Sequence, residues 1–243
     1  MKAYFSLLLM LLPLAALGAE DTPAPATRVD LIAREQIRPG QNFSLEILLR
    51  AADGSPLELD PLDGQWLQLS AVSSNLTYFR QLQAQHQGAG RFLLTTSLPF
   101  GGAYRLFLGY KPAGCPAQLK ELSLSLPGGR PKASPPDPQI TTRDLGDLRL
   151  TLKAPIFEAG TSSQLGFALS SAGEPLTSPP ANARLFIVRR SAEASCSDFL
   201  NVQPGPEPLS FRTTFPAAGL YKVWLEFEHA GQRQNAEFWI RVE

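Results

Sequence analysis

The feature that most limits what this chain can fold into is an internal repeat. The segment PGQNFSL at residues 39–45 aligns with AGTSSQL at 159–165, an offset of 120 residues. Further along, LPFGGAYRLF at 98–107 aligns with FPAAGLYKVW at 215–224, an offset of 117 residues. A repeat of this length divides the 243-residue chain into two halves of similar structure, each the size of a small domain.

Both halves show the sequence pattern of β-strands. Apolar residues alternate with polar ones, as at Leu45, Ile47 and Leu49, and turn-forming residues separate the segments. Predicted strands fall at 29–33, 43–50, 65–72, 91–98, 103–110 and 119–126, and then at 148–152, 163–170, 183–190, 209–215, 219–228 and 232–242. About six or seven strands in about 100 residues predict an immunoglobulin-like β-sandwich in each half. The predicted fold class is therefore all-β.

The first residues have the pattern of a secretory signal. Lys2 precedes an apolar run that ends in small residues at Ala19, and this run is shorter than the ~20 residues that a membrane span needs. We expect cleavage after Ala19, a periplasmic or secreted location, and no membrane insertion after cleavage. An uncleaved signal anchor is the alternative.

The remaining chain divides by composition. The predicted units are a signal peptide at 1–19, a flexible stub at 20–27, a first sandwich at 28–126, a linker at 127–147 and a second sandwich at 148–243. The linker is assigned from its proline and glycine residues, which favour an extended chain. A linker of this length allows the second sandwich to fold back beside the first.

Charge and motifs exclude several function classes. The 22 basic and 22 acidic residues balance, so no overall field favours nucleic acid. The sequence lacks the nucleophile elbow, the zinc-protease motif and the phosphate-binding loop. We therefore expect a protein that is not an enzyme.

Aromatic residues mark structural positions. Tyr104 and Tyr221 each follow a glycine by two residues at a strand start, the place of a tyrosine corner. The alternation assigns four aromatic residues to the sandwich cores: Phe107, Trp224, Phe227 and Phe238. Trp239 points the other way, and is predicted to mark a partner surface, an edge or the domain interface.

Two loops occupy equivalent places in the repeat. They contain Tyr78, Phe79, Gln81 and Gln83 in the first half, and Asp198, Phe199, Asn201 and Gln203 in the second. With the downstream LPFGGAYRLF segment and KPAG at 111–114, these loops resemble bacterial exported YtkA-like domains, whose loop pattern is Asp-x-x-x-Phe-x-His-x-His-Pro. The resemblance implies a sandwich connected with copper or respiratory-enzyme handling in the cell envelope.

The histidines of that family are replaced here. Gln81, Gln83, Asn201 and Gln203 stand at their positions, and neutral amides bind transition metals weakly. We therefore expect no cofactor. The amides are interpreted either as a surface that hydrogen-bonds a partner, most simply another envelope protein, or as solvated loop residues. Copper bound through His86 and His229 is the alternative for metal binding.

Cys115 and Cys196 are the two cysteines of the chain. Because an exported protein meets oxidising conditions, we expect a disulfide between them that clasps the two sandwiches. A pair of copper thiolates is the other interpretation.

The sequence thus favours a non-catalytic binding or accessory protein of the bacterial envelope. Two alternatives remain open: a residual copper-binding periplasmic protein, and an adhesin or surface-assembly subunit. An edge strand that accepts a strand of another chain would indicate the last.

Overall fold

All regular secondary structure in the described part of the chain is β-strand, so the prediction of an all-β fold is confirmed. The computed structural model describes residues 26–62, 64–153, 156–176, 180–190, 196–199, 203–205, 207 and 209–243, with only the backbone for 196–199 and 203–204. The predicted signal peptide at 1–19 lies outside these residues, as does most of the predicted stub. Within them, no helix is long and apolar enough to cross a bilayer.

The first half forms two packed sheets. Its strands are β1 (Thr27–Ala33), β2 (Asn42–Ala51), β3 (Leu59–Asp60), β4 (Gln68–Ser73), β5 (Phe79–Leu82), β6 (Ala84–Gly88), β7 (Arg91–Ser97), β8 (Gly102–Pro112) and β9 (Gln118–Leu126). One sheet has the order β1-β2-β7-β6, and the other has the order β3-β8-β4-β5 with β9 also paired to β8. All pairings are antiparallel.

The second half repeats this arrangement. Its strands are β10 (Thr142–Leu145), β11 (Leu148–Lys153), β12 (Ser162–Ser171), β13 (Glu174–Pro175), β14 (Ala181–Arg190), β15 (Cys196–Phe199), β16 (Gln203–Pro204), β17 (Ser210–Thr214), β18 (Gly219–His229) and β19 (Gln232–Val242). One sheet runs β10-β11-β12-β17-β16 with β13 attached to β12, and the other runs β15-β14-β18-β19.

The repeat seen in the sequence is present in the strands. β2 and β12 begin at Asn42 and Ser162, 120 residues apart, and both contain 10 residues. β8 and β18 begin at Gly102 and Gly219, 117 residues apart, and both contain 11 residues. Each sandwich therefore builds its two sheets from equivalent segments.

Phe79–Leu82 and Ala84–Gly88 of the first half are strands that were not predicted, and one domain boundary also differs from the prediction. Thr142–Leu145, inside the range 127–147 assigned to the linker, forms β10 and pairs with β11. The segment has one apolar residue, Leu145, and is followed by the turn residue Gly146. It therefore lacks the alternation that identifies a strand, and its pairing with β11 makes it one.

Each sandwich has its own apolar core. In the first, Leu45, Ile47 and Leu49 of β2 face Leu106 and Leu108 of β8 in one buried cluster. The second core contains the corresponding strand faces, including these residues: Leu165, Phe167, Val223, Leu225 and Phe238. Burial of these alternating faces is the main force that holds each pair of sheets together.

The two predicted tyrosine corners are present. The hydroxyl of Tyr104 donates to the carbonyl oxygen of Phe100 at 2.9 Å, and that of Tyr221 donates to the carbonyl oxygen of Ala217 at 2.7 Å. Both acceptors lie four residues upstream, so each hydroxyl ties its loop to the start of β8 or β18. Burial raises the pKa of Tyr104, which keeps the hydroxyl a donor.

Replacing either tyrosine with phenylalanine is expected to lower the free energy of unfolding by about 1 kcal/mol, the usual value of one such hydrogen bond. Tyr221→Phe leaves the carbonyl of Ala217 without its donor while keeping the ring. Urea unfolding of Tyr104→Phe, Tyr221→Phe and the wild type measures the effect. Unchanged midpoints in both variants would show that the corners do not stabilise the loops.

Candidate functional site between the two sandwiches

A third apolar cluster joins the two sandwiches. It contains buried residues of both halves: Val72, Leu76, Phe79 and Phe107 of the first, and Phe186, Val188 and Trp224 of the second. Leu76 lies in the turn between β4 and β5, and the other side chains lie on the outer faces of the β8-β4-β5 sheet and the β14-β18 sheet, opposite to the cores. The two sheets therefore pack face to face.

Phe79 stands at the centre of this contact. Its ring centroid lies 4.4 Å from that of Phe186 and 5.1 Å from that of Trp224, with the Trp224 ring stacked. Phe79 is 6% exposed although it points away from the core of its own sandwich. Offset aromatic contacts of this kind stabilise beyond the area that they bury.

The interface uses equivalent faces of the two repeats. Phe107 faces Ser70 across β4 and β8, and Trp224, 117 residues later, faces Phe186 across β14 and β18. Val72 and Val188 likewise oppose Arg105 and Lys222 in the two sandwiches. The contact is therefore made by the same outer sheet face of each half, as in an interface between two identical subunits.

An ion pair recurs beside the cluster in each half. Arg105 pairs with Glu121 in the first sandwich, and the ammonium of Lys222 lies 3.1 Å from a carboxylate oxygen of Glu237 in the second. The Lys222 side chain is only 5% exposed, and its nitrogen lies 4.9 Å from the centroid of Trp239. Burial lowers the pKa of Lys222, and the carboxylate of Glu237 opposes that effect.

The prediction of a loop at 78–83 is wrong for its central part, because Phe79–Leu82 forms strand β5 and pairs with β4. The amide side chain of Gln81 in this strand faces the second sandwich. The Arg184 guanidinium of the second sandwich donates to the side-chain oxygen of Gln81 at 2.9 Å. Gln81 and Gln83 line a groove with Arg184, Glu226 and other residues of the second sandwich. One partner of the amide surface is thus the second half of the same chain.

Glu226 is a buried carboxyl at the edge of that groove. Burial raises its pKa above the usual value, while the positive charges of Arg233, Arg184 and Arg80 act in the opposite direction. A raised pKa means that the folded chain holds the proton more tightly than the unfolded chain does. This contribution to stability is complete below the unfolded pKa and is lost as the pH rises through the folded value.

Glu226→Gln is therefore expected to raise the melting temperature at pH 7, because it removes a charge whose burial is unfavourable. The difference from the wild type should shrink at pH 4, because the raised pKa keeps Glu226 mostly protonated in the folded chain there. Calorimetry at the two pH values measures it. A lower melting temperature of the variant at pH 7 would show that the three arginines favour the ionised form.

The structure describes some of the predicted binding residues in full and others only by their backbone. Tyr78 packs edge-on against Tyr104, with ring centroids 6.0 Å apart, and borders the first core. Asp198 and Phe199 lie in β15, and Gln203 in β16, with only their backbones described. Asn201 lies outside the described residues. The proposed role of the second loop stays a prediction.

Two core assignments are wrong. Phe107 and Trp224 belong to the cluster between the sandwiches, whereas Phe227 and Phe238 lie in the second core as predicted. Trp224 and Phe227 are three residues apart in one strand, so their side chains point to opposite faces. The alternation of β18 indicates that Trp224 faces outward, because Tyr221, Val223 and Leu225 occupy the core face of the strand.

The candidate metal ligands do not form a described cluster. Among the described residues, no group of three or more His, Cys, Asp or Glu side chains is arranged to hold a metal ion. His86 instead stacks between Trp66 and Phe92, with centroids 5.0 and 4.9 Å away. His229 ends β18. Copper binding through these histidines stays a prediction.

The predicted disulfide is not tested by the structure. Cys115 is half-buried in the turn after β8 and makes no disulfide with the described residues. The side chain of Cys196 lies outside the described residues. The pairing of the two cysteines therefore stays a prediction.

A cleft opens where the interface meets the linker. Its volume is about 530 Å³, within the usual range of ligand pockets. The first sandwich contributes Asn75 and Thr77, the linker contributes residues 131–135, and the second sandwich contributes Lys222 and Trp239. The cleft thus requires both sandwiches in their packed arrangement.

No sequence pattern marks Lys222, Glu237, Arg143 or Arg184 as site residues. Their positions in the sequence do not distinguish them, because polar residues are common on the outer face of the strands in any sandwich. Trp239 is the exception, because its outward position beside a core residue marked it as a surface aromatic. The structure places it at the cleft, half-buried against the interdomain cluster.

Comparison with known proteins adds a family match for the second half. A sequence family described as a domain of unknown function, DUF8832, matches residues 142–243. This match begins at the first residue of β10, which places the start of the second unit where the structure does. No curated protein matches the chain. The YtkA-like resemblance is not tested by these findings and stays a prediction.

Solved structures with distant similarity cover most of the chain. The Yersinia pseudotuberculosis adhesin InvE is 14% identical over 87% of this chain and 58% of its own, with a TM-score of 0.26. The Escherichia coli adhesin FdeC is 17% identical over 89% and 64%, with a TM-score of 0.29. The surface layer protein SbsC is 10% identical over 90% and 31%, with a TM-score of 0.29. This chain spans less than two thirds of each of these solved chains.

Proposed function

We propose that this chain is a non-catalytic binding protein of the bacterial cell surface, whose two sandwiches act as one unit. The observation that carries the proposal is the cleft that both sandwiches and the linker line together. A cleft with an aromatic side chain and a few charged and polar groups is the usual form of a binding site.

The packing between the sandwiches supports a fixed geometry. The interdomain cluster buries three aromatic side chains to 6% exposure or less: Phe79, Phe107 and Trp224. The ion pairs and the Arg184–Gln81 hydrogen bond surround it. An apolar cluster of this kind disfavours relative domain motion, and a preorganised site binds without the entropic cost of closing.

Two further features favour the surface. The apolar N-terminal run has the pattern of an export signal. Strand β9 pairs with β8 on one side, and no described strand pairs with its other side. A free edge of nine residues is the feature expected of the adhesin or surface-assembly alternative.

The test compares attachment of bacteria with and without the gene. A deletion strain is expected to lose attachment to glycan-coated surfaces, and the wild-type gene on a plasmid should restore it. Protease treatment of intact cells should remove the protein. Unchanged attachment in the deletion strain, or a protein confined to the cytosol, would contradict the proposed function.

A further inference from the structure

The cleft at the linker brings together an aromatic ring, three cations and two small polar side chains from both sandwiches and the linker. We propose that it binds an acidic saccharide, a sugar ring that bears a carboxylate, with the ring against Trp239 and the carboxylate at Lys222 and Arg143. This inference rests on the proposed binding function and deepens it.

The first step of the argument is the aromatic surface. Trp239 lines the cleft and is half-buried. The equivalent residue of the first half is Ser123, since Ser123 faces Arg105 across its strand pair as Trp239 faces Lys222. The repeat thus places a large aromatic side chain only on the side that the linker covers. The apolar face of a sugar ring packs well on such a ring.

The second step is the positive charge. Lys222 and Arg143 are both held by Glu237: its carboxylate lies 3.1 Å from the ammonium, and its carbonyl oxygen accepts from Arg143 Nε at 2.9 Å. An ammonium has three donors and a guanidinium has five, so each cation keeps further donors for a ligand. Charge-assisted hydrogen bonds to a carboxylate are among the strongest that a side chain makes.

The third step is the balance of charge within the cleft. Its lining contains three cations, Lys132, Arg143 and Lys222, against two carboxylates, Asp137 and Glu237. Burial disfavours the charged ammonium of Lys222. A ligand carboxylate that pairs with the ammonium stabilises its charged form. Asn75 donates to the carbonyl oxygen of Pro131 and accepts from the hydroxyl of Thr77. Its amide keeps one N–H and a free lone pair that suit sugar hydroxyl groups.

The volume agrees with this class of ligand. About 530 Å³ accommodates one or two sugar units rather than a folded partner. The mixture of an aromatic ring, cations and small polar groups also distinguishes the cleft from the groove at Gln81, which is mainly polar and contains two arginines and two glutamates.

Titration calorimetry of the purified chain tests the proposal with four probes. N-acetylneuraminic acid and glucuronic acid represent two sources of acidic sugar, whereas N-acetylglucosamine lacks the carboxylate and acetate lacks the ring. We expect saturable binding of at least one acidic sugar with a Kd on the order of 1 mM or tighter, and binding at least tenfold weaker for the other two. Which of the two acidic sugars binds shows which kind of acidic saccharide the cleft recognises.

Variants assign the binding to the cleft. Trp239→Ala and Arg143→Gln should each weaken binding at least tenfold, while Trp239→Phe keeps an aromatic ring and should stay within about threefold of the wild type. Trp66→Ala is the matched control, because Trp66 is 41% exposed and lies outside the cleft. Thermal unfolding shows whether each variant is folded.

The proposal is overturned if neither acidic sugar binds at 10 mM, the upper end of the titration, if the neutral sugar binds equally well, or if Trp66→Ala weakens binding as Trp239→Ala does. Attachment that depends on the gene but is not affected by Trp239→Ala would overturn the saccharide site and leave the proposed function standing. If the chain binds an acidic sugar but deletion of its gene leaves attachment unchanged, the saccharide site stands and the proposed function is overturned.

Discussion

Replacing Phe79 with aspartate is expected to separate the two sandwiches while leaving both folded. Phe79 contacts Phe186 and Trp224 across the interface and points away from its own core. The variant loses these aromatic contacts and places a carboxylate in an apolar cluster, at a cost of about 3–5 kcal/mol. That cost corresponds to a shift of more than a hundredfold toward the open arrangement.

Solution X-ray scattering measures the result. The radius of gyration of Phe79→Asp should increase, while circular dichroism keeps the β-sheet spectrum of the wild type. Leu93→Asp is the matched control, since Leu93 is 38% exposed on the opposite sheet of the same sandwich. Equal radii of gyration in Phe79→Asp and Leu93→Asp would show that the interdomain cluster does not hold the sandwiches together.

The second large effect is expected in the core of the second sandwich. Phe238 is fully buried and contacts Phe167, with ring centroids 5.7 Å apart. Phe238→Ala removes the ring and leaves a cavity, which should lower the free energy of unfolding by about 3–5 kcal/mol. The transition of the second sandwich should move to lower urea concentration.

A nearby residue in the same strand provides the control. Arg241 is exposed in β19, and Arg241→Ala should change stability by no more than about 0.5 kcal/mol. Urea unfolding followed by tryptophan fluorescence reports on this sandwich through Trp224 and Trp239. If the two variants unfold at the same urea concentration, Phe238 does not belong to the core as the structure describes it.

Much of the fold follows from local pattern. The alternation at Leu45, Ile47 and Leu49 predicts a strand with one buried face, and the structure buries those residues in the first core. The spacing of glycine and tyrosine predicts the corners at Tyr104 and Tyr221. The offsets of the repeat equal the distances in sequence between the starts of equivalent strands in the two halves. The strands and the corners depend on residues close in sequence, and the repeat is visible by alignment, so all three can be predicted from the sequence.

The interface could not be predicted in the same way. Phe107 and Trp224 are apolar residues on outer strand faces, and only the presence of the other sandwich explains their burial. The segment that contains Gln81 was recognised by its repeat, but the contact of Gln81 with Arg184 joins residues 103 positions apart. Thr142–Leu145 is a strand because β11 pairs with it, not because of its composition.

The cleft shows the same limit. Trp239 was marked by its outward position, whereas Lys222 and Arg143 became part of a site only when Glu237 and the linker were placed beside them. The relation between the two halves decides which polar residues of an outer face converge.

Proton contacts between aromatic rings test most directly whether the two sandwiches pack face to face. In a chain labelled on phenylalanine and tryptophan rings, nuclear Overhauser effects are expected from Phe79 to Phe186 and Trp224, whose centroids lie 4.4 and 5.1 Å away. The pair Phe157 and Phe215, 5.4 Å apart within the second sandwich, serves as the internal reference. Reference cross-peaks without any from Phe79 to the second sandwich would contradict the account.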